Sequence, residues 1–202
     1  LVSLALTTDF INFEKQGPLM SPDDKDAALF PRKFNGKYIL IHRPSSDGHK
    51  AHIWLSSSTD LKSWGEHQIL LNARDGACWD ANKIGLSAQP LETEKGWLIL
   101  YHGVKLTAAG AIYRLGIALL DLENPSKVLK RSSEWIFAPE EPYEKVGDVN
   151  DVVFPCGWIL DEVTGVVRMY YGGADSCIGL ATANLSELLK YMNNCPDHCE
   201  DD

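Results

Sequence analysis

Apolar residues in this chain gather in short runs set apart by turn residues, and helical spacing is scarce. The runs Leu1–Thr8, Ala27–Pro31, Lys37–His42, His52–Ser57, Lys83–Pro90, Trp97–Val104, Tyr113–Asp121, Val152–Leu160, Val166–Tyr171 and Ile178–Ala183 have the length and composition of strands. One stretch, Leu185–Met192, places Leu185, Leu188 and Leu189 on one helical face and is predicted as a short terminal helix. The pattern is that of an all-β chain.

The strands recur in a cycle. An apolar strand ending in small or hydroxyl residues is followed by an acidic turn in LALTTDFINFE, IWLSSSTDLKSWGE and LGIALLDLENPSKV, and more weakly in GLATANLSELL. The marker residues Asp9, Asp60, Asp121 and Asn184 stand 51, 61 and 63 positions apart. A period of that length with about four strands per repeat is the signature of β-propeller blades. No linker interrupts the series, so residues 1–192 are expected to form one propeller and residues 193–202 a polar C-terminal tail. Counting strands, the chain opens on the third strand of a blade and supplies about three more blades. A ring of about three and a half blades has open sheet edges, so part of the propeller is expected upstream of Leu1. The half blade also invites pairing with another chain, and a homo-oligomer is a candidate state.

Composition narrows the functions. A formal net charge of −9, with 19 Lys and Arg spread along the chain, argues against nucleic acid as a partner. No apolar run approaches the ~18 residues of a membrane span, and Leu1 to Leu6 lacks the basic flank of a signal peptide. An odd set of cysteines, Cys78, Cys156, Cys177, Cys195 and Cys199, favours reduced thiols and a cytoplasmic location. The CPDHC tail with Cys195, His198 and Cys199 has no second cysteine pair at ligand spacing, so it reads as a frayed polar terminus and no metal is expected.

Four side chains stand out because each ends an apolar strand. They are Lys25 in KDAALFP, Arg43 in KYILIHRP, His102 in GWLILYHGV and Tyr113 in IYRLGIALLD. A fold that gathers strand ends around one axis makes them converge, and two fixed cations with an imidazole and a phenol suit an oxyanion such as phosphate. A phosphate-using enzyme is therefore the expected class, and no cofactor is expected.

The stretches KDAALFPRKFNGKYILIHRP, WDANKIGLSAQPLETEKGWLILYHGV, YRLGIALLDLENPSKVL, APEEPYEKVGDVNDVVFPCGW and MYYGGADSCIGLATA resemble glycoside hydrolase family 130, the β-mannoside phosphorylases and related mannosidases. The resemblance implies a five-bladed β-propeller with its active site at one mouth of the channel. It implies cleavage of β-linked mannosides, with inversion, by inorganic phosphate to give mannose 1-phosphate. Lys25, Arg43, His102 and Tyr113 align with phosphate-binding positions, and Asp26 and Asp175 with mannoside contacts. Trp79, Asp80 and Lys83 are added as substrate contacts because they are polar or aromatic beside a motif strand. The catalytic acid is an Asp in a motif resembling Glu-Asp-Pro; no such motif occurs here, so no catalytic residue is assigned. Two other readings stay open: a β-mannoside hydrolase of the same fold, which the intact basic set argues against, and a non-catalytic carbohydrate-binding propeller fragment. In the long loop before Val152, Glu140, Glu144 and Asp148 are read as a solvated face.

Overall fold

In the computed structural model, residues 1–45, 50–86, 88–108 and 110–198 are described. Cys199 of the tail motif lies outside them.

The chain is built almost wholly of antiparallel strands: β1 Ser3–Leu6, β2 Glu14–Pro18, β3 Asp24–Leu29, β4 Tyr38–Pro44, β5 Ile53–Ser58, β6 Gly65–Leu71, β7 Lys83–Leu86, β8 Leu91–Thr93, β9 Gly96–Thr107, β10 Gly110–Leu120 and β11 Val128–Arg131. A short helix α1, Pro142–Lys145, precedes β12 Val153–Asp161, β13 Val166–Gly173 and β14 Cys177–Asn184, and α2, Leu185–Asn194, follows. They form four sheets: β1-β2, β3-β4-β5-β6, β7-β9-β10-β11 with β8 also on β9, and β12-β13-β14. Sequence-adjacent strands pair, as the repeat predicts.

The middle sheet shows why its strands read so clearly. Along β9, Trp97, Ile99 and Tyr101 pack into one apolar cluster with Ile41, Ile53, Leu55 and Leu71 of the preceding sheet. The alternating residues Leu98 and Leu100 pack into a second cluster with Val153, Val167, Met169 and Tyr171 of the following sheet. Successive strand side chains point to opposite faces, so a strand buried on both faces must be apolar throughout. β10 divides likewise, with Ala118 and Leu120 in the first cluster and Leu115, Ile117 and Leu119 in the second.

The repeated acidic turns are real and local. Asp9 accepts the backbone N–H groups of Ile11 and Asn12, Asp60 those of Lys62 and Ser63, and Asp121 those of Glu123 and Asn124. Each carboxylate caps the turn from one strand to the next outer one, at β1–β2, β5–β6 and β10–β11. The backbone donors of Ser63 and Lys62 pull the Asp60 carboxyl down to about 2. At the fourth marker, Asn184 instead ends β14 and stands at the N-cap of α2.

Two expectations are corrected. Glu144 is buried, 2% exposed, rather than solvated. It accepts the Tyr171 hydroxyl at 2.6 Å and the backbone N–H groups of Glu140 and Glu141. Burial alone would raise its carboxyl, yet these three donors hold it below the usual range. The tail is not frayed as far as His198. Asn193 and Asn194 complete α2, Cys195 is buried, and Asp197 bridges to Lys130 while the His198 N–H donates to the Leu129 carbonyl. The tail thereby covers part of the outer edge of β11, a use that limits edge exposure.

Candidate functional site

The end of β4 delivers Arg43 and the middle of β9 delivers His102, both nearly buried at 5% and 1% exposed. Arg43 Nη1 lies 3.4 Å from His102 Nε2 and 3.0 Å from Asp26 Oδ2, and the same carboxylate oxygen lies 3.4 Å from His102 Nε2. These three side chains come from two different sheets. Tyr113 of β10 stacks on His102 with centroids 6.2 Å apart, and Phe154 of β12 closes on the same ring at 4.7 Å. Lys83, at the start of β7, places Nζ 5.7 Å from the centre of the Tyr113 ring.

Lys25 pairs in register with Arg43 and is exposed. Residues directly opposite in an antiparallel pair project to the same face, so Lys25 adds an exposed cation on the Arg43 side. Asp175 sits exposed in the turn between β13 and β14 with φ of 52°. The pairing of Val153 with Gly173 places that turn at the end of the sheet that carries Phe154.

Trp79 and Asp80, expected to touch substrate, are instead interior residues. Trp79 is 4% exposed, stacks on Tyr101 at 5.6 Å and donates its indole N–H to the Ser133 carbonyl. Asp80 is fully buried. It accepts from Arg74 Nε at 2.8 Å, Arg131 Nη2 at 2.7 Å and the Tyr101 hydroxyl at 3.1 Å. Both pack behind β9, where Gly103 leaves the room: a Cβ there would overlap the Trp79 ring and Asp80 Cβ. This was not legible along the chain, because Arg131, which completes the Asp80 cluster with the nearby Arg74, lies 51 residues further on.

The electrostatics suit an anion. Arg43 Nη1, which only donates, and Asp26 Oδ2, which only accepts, both lie 3.4 Å from His102 Nε2, so the proton on the imidazole sits at Nδ1 when the ring engages Arg43 and at Nε2 when it engages Asp26. His102 Nδ1, Arg43 Nε and Asp26 Oδ2 are all buried without a hydrogen-bond partner. Buried polar groups are rarely left unpaired, and a bound ion or water is one way in which such groups are satisfied. Burial pushes the His102 pKa below its ordinary 6.5 although Asp26 pulls it up, and Arg43 and Lys83 add to the lowering.

That direction fixes a pH dependence. Below 6.5 the unfolded chain takes up a proton at His102 that the folded chain resists, so the folded state loses stability as pH falls through this range. Melting temperature should therefore fall from pH 7 to about pH 5, and replacing His102 with Asn should flatten part of that slope. An unchanged slope would contradict a neutral, buried His102.

Gly85 is a site residue that sequence reading passed over. It pairs with His102, and a Cβ there would overlap Asp26 Oδ2 and press on the imidazole. Its only signal was a glycine inside an apolar run, which marks close approach of another group. Gly85→Ala should cost about 1–3 kcal/mol of stability, the scale of overpacking, and displace Asp26. Chemical denaturation of the variant measures this directly.

Comparison with known proteins decides the family. Residues 2–194 match the family model Glyco_hydro_130, described as beta-1,4-mannooligosaccharide phosphorylase. The chain belongs to glycoside hydrolase family 130. It is 37% identical over 195 residues to a beta-1,4-mannooligosaccharide phosphorylase of Ruminococcus albus, covering 96% of this chain and 58% of that protein. It is 45% identical over 192 residues to a beta-1,2-mannobiose phosphorylase of Listeria innocua, covering 94% of this chain and 52% of the relative. The solved beta-1,2-mannobiose phosphorylase from Listeria innocua, in complex with beta-1,2-mannobiose, superposes with a TM-score of 0.87 at 43% identity, over 95% of this chain and 53% of that one. A structure described under family 130 glycoside hydrolases that target beta-1,2 mannosidic linkages in Candida mannan gives 0.75 at 25% identity, over 91% of this chain and 58% of that one. The chain thus spans little more than half the length of these relatives.

Proposed function

We propose that this chain is the phosphate-binding portion of an inverting β-mannoside phosphorylase with a five-bladed propeller fold. The observation that carries the reading is the juxtaposition of Arg43 and His102 at a site where Arg43 Nε is a buried donor without a partner. Phosphorolysis requires a dianion held next to the anomeric carbon, and charge-assisted donors on a rigid sheet hold it without reorganising. Arg43 supplies a planar fork, His102 an imidazole, Lys25 an exposed charge and Tyr113 a hydroxyl. A hydrolase of this fold needs a group that activates water at the same place; the basic set here serves phosphate instead.

Asp26, Lys83 and Asp175 are the proposed sugar contacts. Asp26 also neutralises Arg43 in the absence of phosphate, so phosphate binding must loosen that pair and free the carboxylate for a sugar hydroxyl. Trp79 and Asp80 support the site from behind β9 and are withdrawn as direct contacts. The general acid opposite the phosphate is required by the inverting reaction and is not assigned to any residue of this chain.

The proposed donor is a β-1,4-linked mannoside, on the description of the matching family model. The relative at 45% identity favours a β-1,2 linkage as the competing case. Incubating the protein with each mannobiose, with and without inorganic phosphate, tests the reading by phosphorus NMR. α-Mannose 1-phosphate formed only with phosphate supports it, and the linkage consumed identifies the donor. Free mannose released equally without phosphate would replace it with hydrolysis.

A further inference from the structure

A line of hydrogen bonds crosses the whole β3–β6 sheet beside the candidate site, and the chemistry above does not use it. Asp24 Oδ2 lies 2.6 Å from His42 Nδ1, His42 Nε2 lies 2.7 Å from Ser56 Oγ, and Ser56 Oγ lies 2.6 Å from His67 Nδ1. Each of the four strands contributes one residue. Asp24, His42 and Ser56 are buried, whereas His67 is exposed. A carboxylate only accepts, so His42 Nδ1–H donates to Asp24. With a neutral ring, Nε2 accepts from Ser56, whose oxygen accepts in turn from His67. Asp24 Oδ1 is buried without a partner, so the carboxylate is held through Oδ2.

The register around His42 links this line to the site. Lys25 pairs with Arg43 and Ala28 with Ile41, so Asp26 and Ala27 together face His42 alone. Two residues opposing one form a β-bulge, which re-aims a side chain. Asp26 adopts φ of 54°, in the left-handed region that is uncommon for a residue with a side chain. In a regular strand Asp26 would project to the same face as Asp24. The bulge instead brings Asp26 Oδ2 to Arg43 Nη1 and His102 Nε2. Such a backbone persists only where its surroundings over-determine it. The Asp24–His42 bond ties the residue two before Asp26 to the residue that the bulge faces.

We propose that His42 is a positioning residue: anchored by Asp24, it holds the bulge that aims Asp26 and so sets the spacing of Asp26, Arg43 and His102. The proposal deepens the phosphate-site reading and rests on it for its second readout only.

Two substitutions separate the two arms of His42. An Asn side chain places its amide N–H near the Nδ1 position and keeps the Asp24 bond. A Gln side chain reaches towards Ser56 and gives Asp24 up. The first readout is the His102 imidazole signals in NMR spectra of the unliganded chain. The expected result is His102 signals close to the parent in His42→Asn and displaced in His42→Gln, with Ser56→Ala like the parent. The second is calorimetric titration of inorganic phosphate, where His42→Gln should bind on the order of tenfold more weakly, the lower end of what losing an outer orienting partner costs.

A His42→Gln protein that melts lower but keeps the parent's His102 signals has lost only a structural tie, and overturns the proposal. So does equal displacement in the Asn and Gln variants. Should His42→Gln fail to fold, Asp24→Ser breaks the same bond from the other side, with the same expectation. If the parent itself binds no phosphate, the phosphate reading fails separately, and the His102 signals still decide the positioning.

Discussion

Arg43→Ala is expected to remove phosphate binding while the protein still unfolds cooperatively. Arg43 is the most deeply fixed cation of the site, 5% exposed, with Nη1 within reach of both Asp26 and His102. Its Nε has no hydrogen-bond partner, which leaves a donor for an incoming oxyanion. Truncating one side of a buried, hydrogen-bonded charge pair costs about 2–5 kcal/mol of binding, enough to take phosphate outside a practical titration range. Asp26 Oδ2, which faces Arg43, is buried, so the variant also loses stability, and the melting curve separates that loss from lost binding. Calorimetry with inorganic phosphate, beside a melting curve, checks both parts. A variant that binds phosphate like the parent would remove Arg43 from the site.

Asp80→Ala is expected to have a large effect of a different kind, on stability. Asp80 is the fully buried acceptor for Arg74, Arg131 and the Tyr101 hydroxyl. Burial pushes the Tyr101 phenol up to about 12, so it stays a neutral donor. Removing one partner of a buried ionic cluster costs about 3–5 kcal/mol, since it leaves charge uncompensated in a low dielectric. Arg131, itself 5% exposed, has little water to turn to. Denaturation in urea should show a midpoint lowered accordingly. Near-parent stability with impaired sugar binding would instead restore Asp80 to the role of a substrate contact.

What the sequence disclosed follows from which faces are buried. β9 and β10 were legible because Trp97–Tyr101 and Ile117–Leu120 meet apolar neighbours on both faces, so these stretches run apolar without a break. The strands β2, β6 and β11 were not. β6 reads GEHQILL, with its first five residues exposed or half-buried, and such a pattern does not stand out from a loop. Helix α1 was missed because four residues carry no period, and Glu144 was misread because its partner Tyr171 lies on another element.

The site divides in the same way. Arg43 and His102 could be picked out because a polar group closing an apolar run is visible along the chain, and Tyr113 because it opens one. Whether Asp26 belongs with them depends on a bulge that the sequence does not announce. Trp79 and Asp80 have the side chains of sugar contacts, yet a buried ion cluster uses the same residue types, and only packing behind Gly103 distinguishes the two.

The account turns on whether the site takes phosphate, and thermal unfolding with inorganic phosphate tests that most directly. Ligand that binds only the folded state stabilises it by about 2.7 kcal/mol at a hundredfold excess over Kd. The account predicts a melting temperature that climbs with phosphate concentration, and a climb that disappears in Arg43→Ala. A cooperatively folded protein whose melting temperature ignores phosphate would contradict it.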